Sequence, residues 1–194
     1  MHRTSFAYDL KHQILYLLAL IKDVRVATLS PSSRFLRNRV LNKIDFTRAH
    51  LIVEYGAGGG VITREILRRM KKDSRLLAIE VNPILVKELK RIVDPRLRIL
   101  EGDVRRIDPR AYLNGYKGVD VIVSGIPFSL LKSNDKHDVL KTIHGCLNPG
   151  GKFIAYQCHT YVRDYLKEYF GRVHTEFELF NVPPHFVYEC VKIS

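Results

Sequence analysis

The stretch Leu51–Leu67, LIVEYGAGGGVITREIL, decides the fold. An apolar, β-rich run broken only by Glu54 enters four glycines within five positions (Gly56, Gly58, Gly59 and Gly60), and a helical pattern begins at Val61. A strand that ends in closely spaced glycines and opens a helix is a nucleotide-binding corner. Glycine lets the backbone turn tightly and lets a ligand approach with no Cβ in the way. The dinucleotide pattern G-x-G-x-x-G needs glycine at position 61, which here is Val61; the spacing present is Gly56-x-Gly58-x-Gly60 behind Glu54. An acid at that point suits a ligand with a cationic centre or an amino group and would repel a pyrophosphate.

Outward from this corner, short β-rich runs alternate with helical patterns. Strands are expected at Leu51–Tyr55, Arg75–Glu80, Leu97–Leu100, Val119–Ser124 and Lys152–Gln157, with helices near Val61–Lys72, Pro83–Val93 and Asp135–Leu147. Such alternation predicts an α/β fold, a parallel sheet with helices on both faces. Val173–Phe180 and Phe186–Ile193 read as two more strands joined by Asn181-Val182-Pro183-Pro184, a link so short that they must run antiparallel. Two helices precede the sheet. The first, near Ser5–Lys22, carries Phe6, Leu10, Ile14, Leu17 and Ile21 on one stripe. The second starts at Ser30-Pro31-Ser32-Ser33-Arg34 and runs to about Ile44. The expected division is a helical segment over 1–48 and a ligand-binding domain over 49–194.

Composition narrows the partners. The net charge is +12 on 194 residues, and residues 1–48 hold nine Lys/Arg against three acids. This asymmetry predicts an anionic partner. The longest N-terminal apolar run, Ile14–Ile21, is eight residues and too short to span a bilayer. Three dispersed cysteines (Cys146, Cys158 and Cys190) suggest neither a disulfide framework nor a zinc site, and no histidine shows ligand spacing, so no metal is expected.

Two further acids stand at expected strand ends. Glu80 closes the second strand, 24 residues after Gly56, where a carboxylate can accept ribose hydroxyls; Asp103, in Leu100-Glu101-Gly102-Asp103-Val104, follows the third. With Glu54, the glycines and Val119–Ser124 followed by Gly125-Ile126-Pro127-Phe128, the set resembles the class I S-adenosylmethionine-dependent methyltransferases over about residues 50–194. The resemblance implies a Rossmann-like, mostly parallel sheet with a late antiparallel pair. It implies that Glu54, Gly56, Gly58 and Gly60 hold the methionine end of the cofactor, Glu80 with Val81 the ribose, and Asp103 with Val104 the adenine, with Ser124 beside them.

The acceptor must be read from other residues. In the related ribosomal RNA adenine dimethylases the motif after the fourth strand reads Asn-Leu-Pro-Tyr; here the Asn position is Gly125, which has no side chain to hold a flipped base. Those enzymes also carry a helical domain after the sheet, which is not expected here, where the sequence runs to Ser194. The sequence is more similar to the bacterial phospholipid N-methyltransferases, which act on phosphatidylethanolamine toward phosphatidylcholine. The similarity lies in Ser30–Leu36, in Ser124-Gly125-Ile126-Pro127 and in Asn181–Tyr188. It implies an enzyme that is cytoplasmic and peripheral on the inner face of an anionic membrane, with nucleic acid, an ornithine lipid or a small amine as other acceptors. The expected substrate-binding residues are Ser33 and Arg34 at a helix start that suits a lipid phosphate, together with Ile126, Pro127, Phe128 and His185. A headgroup amine must lose a proton before it attacks; Tyr8 and His159 are the expected acceptors, with Ser124 orienting the amine and Gln157, His185 and Tyr188 as further candidates on the rim.

Overall fold

The computed structural model describes residues 32–112 and 115–193. The expected first helix, Tyr8 and the Ser30-Pro31 helix start lie outside the described residues. The elements run α1 (Arg34–Leu41), β1 (Leu51–Tyr55), α2 (Val61–Arg69), β2 (Arg75–Glu80), α3 (Pro83–Leu89), β3 (Leu97–Glu101), β4 (Val119–Ser124), α4 (Ser133–Cys146), β5 (Leu147–Gln157), α5 (Val162–Phe170), β6 (Val173–Glu178) and β7 (His185–Val191).

The seven strands form one sheet in the order β3-β2-β1-β4-β5-β7-β6. β1 pairs parallel with β2 and with β4, and its five residues are all buried, as expected of an apolar strand covered on both faces. β7 pairs antiparallel with both β5 and β6, so it alone runs against the sheet. Between β1 and β4 the connection order reverses, which places a crevice at their carboxyl ends.

Strand alternation splits the core. Val53, Tyr55, Ile122, Phe153 and Tyr188 face α4 and α5, whereas Ile52, Leu76, Val121, Val123 and Ile154 face α1 and α2. Leu36, Val40, Leu41 and Ile44 belong to the second cluster, so the described part of the N-terminal segment shares the core of the sheet. Full burial of one such leucine contributes about 1.5–3 kcal/mol. Charged residues add a second tie on this helix. Arg39 bonds Glu178 and Glu176, and Lys43, just past the helix, bonds Glu176 at 2.5 Å; beside them Lys152 of β5 bonds Glu189 of β7 at 2.7 Å. Burial raises the Glu176 pKa, but the hydrogen bonds from Lys43 and Arg39 outweigh it and hold the carboxyl at about 2.

Helix starts follow local chemistry. The Ser33 hydroxyl accepts the Leu36 N–H, and Asn82, before Pro83, accepts the N–H groups of Ile84 and Leu85. Several ends differ from the sequence expectation. α1 stops at Leu41 and α3 at Leu89, each passing into a tighter turn; Val93, expected in α3, is 96% exposed. β6 stops at Glu178 because its carboxylate turns back to accept the Phe180 N–H, which releases residues 179–184 as the connection to β7.

Candidate active site

The crevice between the ends of β1 and β4 opens into a cleft of about 210 Å³. Glu54, the fourth residue of β1, points toward α2. Its Oε2 accepts the Thr63 hydroxyl at 2.6 Å, and its Oε1 is buried with no partner. Burial pushes its pKa up to about 8, with the Thr63 bond opposing and the nearby Glu80 charge reinforcing the rise.

The glycine loop follows. Gly56 has φ +73°, and a Cβ there would stand 3.0 Å from Ile126 Cγ2 and 3.2 Å from the Ile126 nitrogen, so the two strand ends approach as closely as backbones allow. Gly60, at φ +85°, caps α2, and a Cβ there would meet Ile92 Cδ1 at 2.6 Å. Gly56 and Gly58 line the cleft; Gly60 instead lets the loop pack on the end of α3.

Glu80 is buried at the end of β2. Its Oε2 accepts the Gly58 N–H at 2.8 Å, and its Oε1 accepts those of Val81 and Asn82 at 2.9 and 2.8 Å. Burial raises its pKa while these three donors oppose the rise. Glu80 is therefore a latch that ties the glycine loop to β2, a role the sequence reading missed. Asp103, Val104 and Val81 stand on the cleft wall as expected. Both Asp103 oxygens are engaged by Arg105, which lowers the Asp103 pKa, and Arg105 reaches on to Asp135 at 3.2 Å.

Not every expected residue reaches the cleft. Ser124 is fully buried, with its hydroxyl unpartnered inside the sheet, so it is closed off from a ligand. Phe128 is also fully buried, because the turn Phe128–Leu130 swings its ring into the core; Ser129, Leu130 and Leu131 line the cleft instead. Ile126 and Pro127 do line it. Tyr188 is a core residue whose hydroxyl donates to the His159 carbonyl and whose pKa burial raises to about 12, which removes it as a proton acceptor. Gln157 is committed as well. Its amide donates to the Ile126 carbonyl at 2.7 Å and accepts the Phe128 N–H at 3.1 Å, pinning the 126–128 loop.

His159 and His185 both line the cleft. His159 is exposed on the rim and stacks on Tyr161, whereas His185 is 6% exposed. His185 Nδ1 lies 2.8 Å from the Pro183 carbonyl and 3.0 Å from the Asn181 amide nitrogen, and its Nε2 lies 3.4 Å from the Cys158 thiol. Burial lowers the His185 pKa and raises that of Cys158, so both stay neutral. Ser33 caps α1, and its N–H donates to the side chain of buried Asn181 at 2.8 Å. Ser32 lines the cleft; Arg34 stands outside it, exposed, with its guanidinium over the Phe35 ring. No metal-holding cluster exists among the described residues.

S-adenosylmethionine fits this donor set. It is cationic at the sulfonium and at the amino group, and the Glu54 Oε1 is a buried, unpartnered acceptor beside a glycine cradle. A carboxylate has about four acceptor positions. Glu80 uses three on backbone, which leaves one for a ribose hydroxyl.

Comparison with known proteins agrees. A family described as a methyltransferase domain matches residues 52–151. The ornithine lipid N-methyltransferase of Singulisphaera acidiphila is 31% identical over 85% of this chain and 88% of that protein. The ribosomal RNA small subunit methyltransferase A of Mycoplasma mycoides is 32% identical over 48% of this chain, which spans 35% of that protein. Among solved structures, the Burkholderia thailandensis 1,6-didemethyltoxoflavin-N1-methyltransferase, with bound S-adenosylhomocysteine, superposes with a TM-score of 0.67 at 16% identity, over all of this chain and 92% of that one. The chain belongs to the class I S-adenosylmethionine-dependent methyltransferases.

Proposed function

We propose that the protein N-methylates the amine headgroup of a membrane lipid, taking phosphatidylethanolamine toward phosphatidylcholine or acting on an ornithine lipid. The observation that carries this reading is an apolar and basic rim beside the cleft. Leu179, Phe180 and Val182, in the β6–β7 connection, are 62%, 68% and 79% exposed. Phe180 packs on exposed Phe35 of α1, their ring centres 5.2 Å apart, and Arg34 lies over that ring. Asn181, buried among them, ties this tip to Ser33 and to the Pro183 carbonyl that also holds His185. Exposed apolar clusters of this kind mark interaction surfaces. With a net charge of +12, the surface suits an anionic bilayer, which attracts each nearby Lys or Arg by about 1 kcal/mol. The ornithine lipid relative supports the same acceptor class. No helix among the described residues is long and apolar enough to cross a membrane; the proposed place of action is the inner face of the membrane, as a peripheral protein.

The chemistry asked of the chain is modest. An alkylamine headgroup titrates near lysine, about 10.4, so it arrives protonated. S-adenosylmethionine supplies the electrophilic methyl when bound. The chain holds the amine in line and excludes water, and orientation of this kind is the largest contribution available to it. His159, exposed at the rim, takes the amine proton and passes it to solvent. Apolar Ile126, Pro127, Leu130 and Leu131 shield the reacting amine. Arg34, next to the Ser33 cap, holds the lipid phosphate. Tyr8, outside the described residues, is a second proton acceptor.

The test is methyl transfer from radiolabelled S-adenosylmethionine, with phosphatidylethanolamine vesicles, ornithine lipid vesicles and ribosomal RNA as parallel acceptors. Label in lipid is expected; label in RNA alone overturns the reading. Arg34→Ala and Phe180→Ser are each expected to lower vesicle co-sedimentation and lipid methylation about 5- to 10-fold at physiological salt, with calorimetric affinity for S-adenosylhomocysteine unchanged. Loss of cofactor affinity in either variant would place these residues in the fold rather than on the membrane.

A further inference from the structure

We propose that Tyr156 positions the acceptor amine, and that residue 125 is glycine to make room for its hydroxyl; this rests on the amine-acceptor reading above. Gly125 directly follows β4 on the cleft wall. It is absent from the glycines with positive φ, so its backbone would suit any residue. Space is what forbids a side chain. A Cβ at position 125 would stand 2.1 Å from the Tyr156 hydroxyl and 2.7 Å from its Cζ, closer than real atoms approach. Gly56 and Gly60 are required by conformation as well as by space; Gly125 is required by Tyr156 alone.

The hydroxyl is held where β4 would otherwise deliver a side chain. Ser124 pairs with Ala155, which sets Gly125 beside Tyr156, and Tyr156 pairs on its other side with Val187 of β7. Gly125 N–H donates to the Tyr55 carbonyl at 2.8 Å, and the Gln157 amide bonds the carbonyls of both Tyr156 and Ile126. The ring leans over the neighbouring strand end and brings its hydroxyl to Gly125. The far side of that backbone meets Gly56 of the cofactor corner. The polar group of the preceding residue, Ser124, is sealed away. Tyr156 therefore presents a hydroxyl on the cleft wall at the junction of the glycine corner and the 125–127 loop.

This chemistry suits an aliphatic amine. A hydroxyl oxygen accepts an N–H from the amine and fixes the direction of its lone pair. The aromatic face attracts the ammonium form and the methylated cation that replaces it. The site thus takes a primary or partly methylated amine, delivered from a strand adjacent to the one that carries the loop.

Tyr156→Phe removes the hydroxyl and keeps the ring. With phosphatidylethanolamine/phosphatidylglycerol vesicles, kcat is expected to fall 10- to 100-fold. Calorimetric affinity for S-adenosylhomocysteine and vesicle co-sedimentation are expected to stay at wild-type values. If the wild type labels lipid and Tyr156→Phe matches its kcat, the Tyr156 assignment falls while the lipid reading stands. If Tyr156→Phe loses cofactor affinity, its role is structural and the assignment falls. If the wild type labels no lipid amine, both fall. Should Tyr156→Phe not fold, the double variant Gly125→Ser/Tyr156→Ala returns a hydroxyl to the same spot from β4. It should recover at least tenfold over Tyr156→Ala, and no recovery overturns the proposal.

Discussion

Glu80→Ala is expected to reduce S-adenosylhomocysteine affinity at least 100-fold and to lower the thermal midpoint of the ligand-free protein. The Glu80 carboxylate accepts three backbone N–H groups at 2.8–2.9 Å, those of Gly58, Val81 and Asn82. Hydrogen bonds to a charged group contribute roughly 1.5–3 kcal/mol each, and a buried donor left unpaired costs about as much. Water entering from the cleft will satisfy part of this, so a net loss of about 3 kcal/mol is expected, or roughly 6–12 °C for a chain of this size. Gly58 belongs to the cofactor loop, so the same change frees the loop that shapes the cleft. Binding must then re-order that loop and forgo the ribose contact, and at about 1.4 kcal/mol per tenfold a 100-fold loss corresponds to roughly 3 kcal/mol for the two together. Latch and ribose contact separate in a ligand cycle. S-adenosylhomocysteine and its 2′-deoxy and 3′-deoxy forms are measured against wild type and Glu80→Ala. If Glu80 touches the ribose, one deoxy form loses affinity on the wild type and not on the variant. If both deoxy forms lose equally on the two proteins, Glu80 acts through the loop alone. Unchanged affinity of the parent ligand for Glu80→Ala would refute both roles.

The reach of the sequence follows from what each signal encodes. β1, β2 and β4 were legible to the residue, because a buried parallel strand is a mainly apolar run bounded by turn residues, here broken inside only by Glu54 and Asp120. Helix ends were less so: α1 and α3 relax into tighter turns that preserve apolar spacing, and Ile44 remains buried beyond the end of α1. Strand direction at the far edge was half legible. The short link fixed β6 and β7 as antiparallel, but only three-dimensional packing inserts β7 between β5 and β6. On the cleft wall, Glu54, Gly56, Gly58, Glu80 and Asp103 stand where the strand ends place them. Facing side chains were not legible in this way. Ser124 and Phe128 belong to a motif read along the chain, and the pleat and a turn point both inward. Tyr156 carries no motif; it enters the site only through the register of β4 and β5. Asn181 and Ser33 lie 148 positions apart, and nothing local in the chain announces their bond.

Glu54→Gln is expected to stabilise the ligand-free protein and to abolish tight cofactor binding. The wild-type carboxyl has a pKa near 4.5 when unfolded and about 8 when folded. Between these values the folded state holds a proton that the unfolded state has released. Stability therefore falls as pH rises from about 4.5 to about 8, and above 8 the full cost of a buried carboxylate is present. At 1.36 kcal/mol per pKa unit this is on the order of 5 kcal/mol. Glutamine keeps the acceptor for the Thr63 hydroxyl and carries no charge. The variant should match the wild type at pH 4 and exceed it increasingly toward pH 8.5, as read by denaturant midpoints across that range. Cofactor binding runs the other way. A cationic ligand selects the ionised carboxylate, so wild-type affinity should climb with pH up to about 8 and then level. Near pH 7 binding should release close to one proton, seen as a calorimetric enthalpy that changes with the ionisation heat of the buffer. Glu54→Gln should bind weakly, with no such slope and no proton release. A variant that binds as tightly as wild type at pH 7 would remove Glu54 from the cofactor site. One that fails to gain stability at pH 8.5 would show that water reaches the carboxylate. Both expected results together mean that this position carries an acid at a cost to the empty fold, and the cationic ligand offsets that cost only when it is bound.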